Sequence, residues 1–147
     1  MSDLIKLVIH GEPVAQPRQR QTRGGRNYTP AKHPVNAMKA QIRIQAGENH
    51  AGELIDGPVS IQADFYFPRS KGQIWKRKPM PRLWHTKKPD GDNLIKAVKD
   101  ALSGVIYTDD SRVCDARYRK HICSGDEKPR IEIEIQELQP LTTGEVV

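Results

Sequence analysis

Val59, Ile61, Ala63, Phe65 and Phe67 fall on every second position of the run VSIQADFYF. Only an extended strand collects those five side chains on one side, so this chain needs a sheet with a covered face. Other runs can join it. RIEIEIQEL, residues 130–138, puts Ile131, Ile133 and Ile135 on one face, and Leu4–His10 and Val113–Ile122 are further β-rich stretches. SGDEKP between the last two strands reads as a hairpin turn.

The cover has to be helical, and two segments have the spacing for it. Val35, Met38 and Ile42, continued by Ala46, form one stripe. It starts at Thr29-Pro30 and His33-Pro34, where proline is tolerated in a first helical turn, and ends between Gly47 and Gly52. DNLIKAVKDALSG, residues 92–104, places Leu94, Ala97, Val98, Ala101 and Leu102 on an apolar face that Val105 extends. Asp92 is its expected N-cap and Gly104 its expected C′ residue. Residues 11–30 and 68–88 are rich in Pro, Gly and basic side chains and read as loops. The expected order is β-α-β-loop-α-β-β. That is an α+β fold, with a single small mixed sheet and about two helices packed on it. Residues 1–140 are expected to form one domain and 141–147 a frayed tail.

Apolar residues make up 36% of the chain and aromatic ones 5%, which suits a single-layer core. Cys114 and Cys123 are too few for a disulfide framework or a cysteine zinc site. No apolar run nears the roughly 20 residues of a membrane span, and MSDLIKLVIHG lacks the pattern of a signal peptide. A cytoplasmic protein is expected. Neither a P-loop, GxSxG nor GxGxxG is present, which argues against nucleotide-hydrolysing motors, serine hydrolases and dinucleotide enzymes, and the histidines show no HxH or HExxH spacing.

Charge is segregated. Residues 13–47 hold seven Lys or Arg and no acid, and residues 65–89 hold eight and no acid, whereas the remainder of the chain has a net charge of −9. A surface made basic for solubility would mix the signs. Segregation on this scale is the footprint of a polyanion site.

Acidic residues come in pairs. Asp90 and Asp92 flank Gly91, and Asp109 and Asp110 follow the second helical segment. Asp92, Lys96 and Asp100 are spaced by four and share a helix stripe, with Asp100 expected to pair with Lys96 or Lys99. Two carboxylates about 4 Å apart repel by roughly 4 kcal/mol at an effective dielectric of 20. A helix N-terminus returns only about 0.3–1 kcal/mol per anion. Should Asp90, Asp92 and one of Asp109 or Asp110 converge, a divalent cation is the natural counter-charge, and oxygen-only ligands suit Mg²⁺ or Mn²⁺. Singly, each has a plainer role, as a cap, a turn residue or a solvated lysine.

The run KPDGDNLIKAVKDALSGVIYTDDSRV, residues 88–113, closely resembles the RusA family of Holliday junction resolvases. Those are small homodimeric endonucleases, often prophage-encoded. The shared pattern is D-x-D-N, a lysine four residues after its second Asp, D-A-L in the same helix, and D-D before a strand. Here these are Asp90, Asp92, Asn93, Lys96, Asp100, Ala101, Leu102, Asp109 and Asp110. The resemblance implies Mg²⁺-dependent cleavage of four-way junctions by paired symmetric nicks, in recombination and repair, with Mn²⁺ able to substitute. Its metal ligands map onto Asp90, Asp92 and Asp110, and its catalytic lysine onto Lys96. Branched DNA would be the partner, near the nucleoid of a bacterial or phage-infected cell. Arg18, Arg20, Arg23, Arg26, Arg69, Lys71, Lys76, Arg77, Lys78, Lys87 and Lys88 would hold its phosphates. Position 91 is Gly where many members carry an aliphatic residue, and this predicts a looser D-x-D. Two other readings stand beside this one. In the first, the chain is a branched-DNA-binding protein without catalysis. In the second, Pro89-Asp90 with Asp126-Glu127-Lys128 marks a PD-(D/E)xK-type nuclease.

Overall fold

The computed structural model describes residues 4–17, 20–21, 24–25, 27–28 and 32–141. Its main feature is a five-stranded mixed sheet with two α-helices. The strands are β1 (Ile5–His10), β4 (Val59–Phe67), β5 (Leu83–Trp84), β6 (Val113–Ile122) and β7 (Arg130–Glu137). The helices are α1 (Pro34–Asn49) and α2 (Gly91–Leu102). A two-residue ladder joins β2 (Arg20–Gln21) to β3 (Asn27–Tyr28) inside the segment read as a loop. The Thr29-Pro30 helix start and residues 142–147 of the expected tail lie outside the described residues.

The sheet order is β1-β7-β4-β6-β5. β4 is the centre because it is the most apolar strand, buried at seven of its nine positions. Both of its edges are used: β6 runs parallel along one and β7 antiparallel along the other. This corrects the expected hairpin. β6 and β7 do not pair, because β4 stands between them, and residues 124–129 step across its end. Cys123 N–H donates to Phe67 O at 2.9 Å at that crossing.

One face of the sheet presents Leu7, Ile9, Ile61, Ala63, Phe65, Ile131, Ile133 and Ile135, all buried in a single apolar cluster with both helices. α1 contributes Val35, Met38, Ile42 and Ala46. α2 contributes Leu94, Ile95, Ala97, Val98, Ala101 and Leu102. Burying a Val, Leu or Ile side chain is worth about 1.5–3 kcal/mol, so α2 is held tightly on the sheet and its first turn is a fixed platform. Arg43 closes the other end of α2, donating to the carbonyls of Ala101 and Ser103 at 3.1 and 3.2 Å. Gly104 follows with φ +80°, as expected of a residue just past a helix end.

Residues 68–88 are not a featureless loop. A short 3-10 turn spans Lys71–Gln73, and β5 pairs antiparallel with the end of β6, Leu83 opposite Ile122 and Trp84 opposite His121. Arg69 organises the segment by donating to the carbonyls of Gln73, Pro81 and Cys123 and by lying over the Trp75 ring. No helix among the described residues is long and apolar enough to cross a membrane.

Candidate active site

The chain leaves β5 running back along β6. His85 N–H donates to Lys120 O at 3.0 Å, and Lys120 Nζ donates to Lys87 O at 2.6 Å. It then turns into α2 beside Tyr118. The N-cap is Asp90 rather than the expected Asp92, two residues later. Asp90 has extended backbone (φ −68°, ψ 141°), and its carbonyl accepts from the N–H groups of Asn93 and Leu94, both at 3.2 Å. Its carboxylate makes no capping bond. Asp92 lies in the first helical turn and is exposed. Both carboxylates therefore stand at the positive end of the helix, where the unpaired N–H groups favour anions.

Gly91 between them is buried, and the reason is local. A Cβ there would stand 1.8 Å from Tyr118 Cε1 and 2.1 Å from Cζ. The Tyr118 ring occupies the space of the missing side chain. The D-x-D is therefore packed rather than loose, and the aliphatic residue expected at position 91 is replaced by a ring reaching in from the sheet. Only the tertiary fold brings position 118 here, so no spacing in the sequence signals it.

The early basic arm reaches the same place. Gln16 N–H donates to Asn93 O at 2.9 Å, docking residues 11–17 against the first turn of α2. Arg20, in β2, follows four residues later, within about 14 Å of chain. Arg18, Arg23 and Arg26 lie outside the described residues. Lys71, Lys76, Arg77, Lys78, Lys87 and Lys88 are exposed, with Lys78 Nζ 4.1 Å from the Trp75 ring centroid.

Lys96 is exposed on the stripe between Asp92 and Asp100. Asp100 does not pair with Lys96 or Lys99; its partner is Lys39 of α1, at 3.6 Å. It also meets Asp110. Burial raises the Asp110 pKa first, and the hydrogen bond and charge of Asp100 raise it further. Asp110 Oδ1 is buried with no hydrogen-bond partner among the described residues. Asp109 is differently employed: hydrogen bonds from the Ser111 hydroxyl and, at 2.9 Å, the Ser111 N–H lower its pKa, the hydroxyl more. Tyr107, fully buried beside these acids, donates its hydroxyl to Lys99 O at 2.6 Å. Asp100 thus stands beside Asp110, where its spacing alone suggests a lysine of its own helix as partner.

The acids form two pairs rather than one cluster. Asp90 and Asp92 sit at the start of α2, and Asp100 with Asp110 sits about 12 Å further along the helix axis, at 1.5 Å per residue. Among the described residues no group of three His, Cys, Asp or Glu is placed to hold a metal ion. The donors fit a hard divalent cation in their chemistry, being carboxylate oxygens, one of them buried and orphaned. Among the described residues a three-carboxylate set is not assembled.

The crowded far pair carries a stability cost. Because the folded-state pKa of Asp110 is raised, the folded form is penalised at neutral pH and relieved as pH falls through that value toward the unfolded carboxyl value. Asp110→Asn is expected to raise the Tm at pH 7.5 without metal. Near pH 4 the gain should vanish. Calorimetry at the two pH values checks this, and an equal gain at both would contradict it.

Asp126, Glu127 and Lys128 occupy the connection after β6. Glu127 is engaged by Arg82 and Arg130, which hold its carboxyl far below the usual range. No strand carries these three residues.

The family model described as "Endodeoxyribonuclease RusA" matches residues 10–136. The chain is 36% identical over 142 residues to "Uncharacterized protein YqaN" of Bacillus subtilis (strain 168), covering 92% of this chain and 98% of that one. It is 32% identical over 120 residues to "Crossover junction endodeoxyribonuclease rusA" of Lactococcus phage r1t, covering 79% of this chain and 75% of that one.

Proposed function

Since the chain belongs to the RusA family of endodeoxyribonucleases, we propose that it resolves four-way DNA junctions by paired symmetric nicks, in a reaction that requires Mg²⁺ or Mn²⁺. The observation that carries this reading is the acid pair at the mouth of α2, without a side-chain hydrogen bond or ion pair among the described residues, with exposed Lys96 one turn beyond Asp92. Such a pair is costly unless something positive joins it.

Asp90 and Asp92 are the residues that would hold the cation, which when bound polarises the scissile phosphate and lowers the pKa of a water; Asp110, beside Asp100 about 12 Å further along α2, would not share that ion within one protomer. Other groups act directly. Lys96 offers a mobile ammonium to the charge that develops on phosphorus oxygens. The N–H groups of the first α2 turn lend their partial positive charge to the same place. Tyr118 fixes the backbone between the two aspartates by filling the space over Gly91. The arm docked at Asn93 and the exposed lysines at 71, 76, 78, 87 and 88 hold phosphates without reading sequence. A two-fold homodimer would present one such site to each of two opposed strands of a junction.

The test is a labelled four-way junction beside a linear duplex of the same sequence, with Mg²⁺ and with EDTA. Metal-dependent nicks at symmetry-related positions in the junction alone are the expected result. Tight junction binding with no cutting in Mg²⁺ or Mn²⁺ would instead favour a protein that only binds branched DNA.

A further inference from the structure

The sheet face turned away from the helices carries a row of stacked planar groups. Arg130, Tyr66, His121 and Trp84 are register neighbours on β7, β4, β6 and β5. The Arg130 guanidinium lies 3.8 Å from the Tyr66 ring centroid, Tyr66 and His121 stack at 4.7 Å, and His121 and Trp84 stack at 5.2 Å. The inner plates are locked. Tyr66 and His121 are buried, and His121 Nε2 meets Asp64 Oδ1 at 3.0 Å while Arg119 Nε donates to the same oxygen at 2.7 Å. The last plate is open: Trp84, on the edge strand, is 67% exposed. A cavity of about 450 Å³ adjoins it, lined by Arg82, Leu83, Trp84, Arg119 and His121.

A rigid column of rings that ends in a bare indole is built to take one more plate. Its surroundings say which kind. Lys87 and Lys88, both exposed, lie on the chain between Trp84 and Asp90, within the segment that has no acid. Trp84 stacks on His121 on the face turned away from the helices, whereas Gly91 packs on Tyr118 on the helix-bearing face, so the chain between them passes round the β5 edge of the sheet. A DNA strand that follows this edge meets the two lysines between the acid pair and the indole.

We infer that Trp84 is the stacking plate for an unpaired nucleobase of the bound DNA, with Lys88 and Lys87 holding phosphates between it and the acid pair. The inference rests on the nuclease reading for its ligand. It adds what that reading lacks, a group that senses whether a base is free of its partner. Linear duplex hides its bases, whereas a junction with opened pairs at its crossover offers one.

The test uses binding without cleavage. The probes are a short labelled oligothymidylate, the same strand with one abasic position, and a matched duplex, all in EDTA. Trp84→Ala is expected to weaken oligothymidylate binding roughly 5- to 150-fold, the range for one lost base–aromatic stack, and to leave duplex binding unchanged. Trp84→Phe should recover most of the loss. The abasic position should weaken the wild type and leave Trp84→Ala indifferent. In a Trp75→Phe background, oligothymidylate should quench the remaining indole fluorescence. Equal affinity of wild type and Trp84→Ala for the single strand would overturn the inference, as would an equal loss on single strand and duplex. The two ideas fail separately. Junction cleavage with no role for Trp84 in strand binding removes the plate and keeps the nuclease. Strand binding through Trp84 with no cleavage in any metal does the reverse.

Discussion

Asp92→Asn is expected to slow junction cleavage by roughly 10³-fold or more, the several kcal/mol that a bound cation contributes to phosphoryl transfer. Junction binding in EDTA should be unchanged or tighter, because one negative charge facing the phosphates is gone. Folding should barely register the change. Losing an anion at the start of α2 costs about 0.3–1 kcal/mol, while relief of repulsion from Asp90 returns a similar amount. Gel cleavage, anisotropy and thermal melting on the same preparations separate the three effects. Cleavage within a factor of a few of wild type would remove Asp92 from the site. A companion pair sharpens the point: Lys96→Ala should impair cleavage and Lys128→Ala should not. The opposite result would restore the PD-(D/E)xK alternative, despite the engagement of Glu127 with Arg82 and Arg130.

Gly91→Leu should be nearly as damaging to cleavage, by a different route. In an exposed helix a leucine is worth close to 1 kcal/mol more than a glycine, so without the Tyr118 ring this change would stabilise the protein. With the ring 1.8 Å from the new Cβ, the sign reverses. Tyr118 must swing out or α2 must shift. The expected cost is about 1–3 kcal/mol, as for other overpacked sites. Cleavage should fall roughly 10²-fold, the penalty for a displacement of about 1 Å at a reacting centre. Adding Tyr118→Ala to Gly91→Leu should restore both stability and most of the activity. Tyr118→Ala alone should cost less than the leucine. A Gly91→Leu protein that melts and cuts like wild type would show that the ring does not pack there.

The fold class was legible in the alternation of 59–67 and 130–138 and in the helical spacing of 92–102, because those patterns bury one face against a shared core. The strand order was not. A hairpin between the last two strands is the shortest connection, but β4 is buried at seven of its nine positions and pairs along both edges, so it separates them. β5 escaped notice because two residues have no period. The arrangement of the acids was half visible. Their spacing along one helix is a local property, whereas the meeting of Asp100 with Asp110, and of Tyr118 with Gly91, depends on how α2 lies against β6. The aromatic column was invisible for the same reason: its four members come from four strands.

β1 has a single neighbour in the sheet, β7, more than a hundred residues later. A ribosome making this chain at roughly 5–20 residues per second would need about 6–24 s to travel from one strand to the other. Once made, β4 lacks both partners until β6 emerges and one of them until β7 does, and the apolar face that α2 covers is incomplete meanwhile. The fold can close only late in synthesis, so the acid pair and the basic arm meet in working order only once nearly the whole sheet has been made. For a protein that cuts DNA, this delays the appearance of a competent site, and it makes the nascent chain a natural client of chaperones that shield unpaired strand edges.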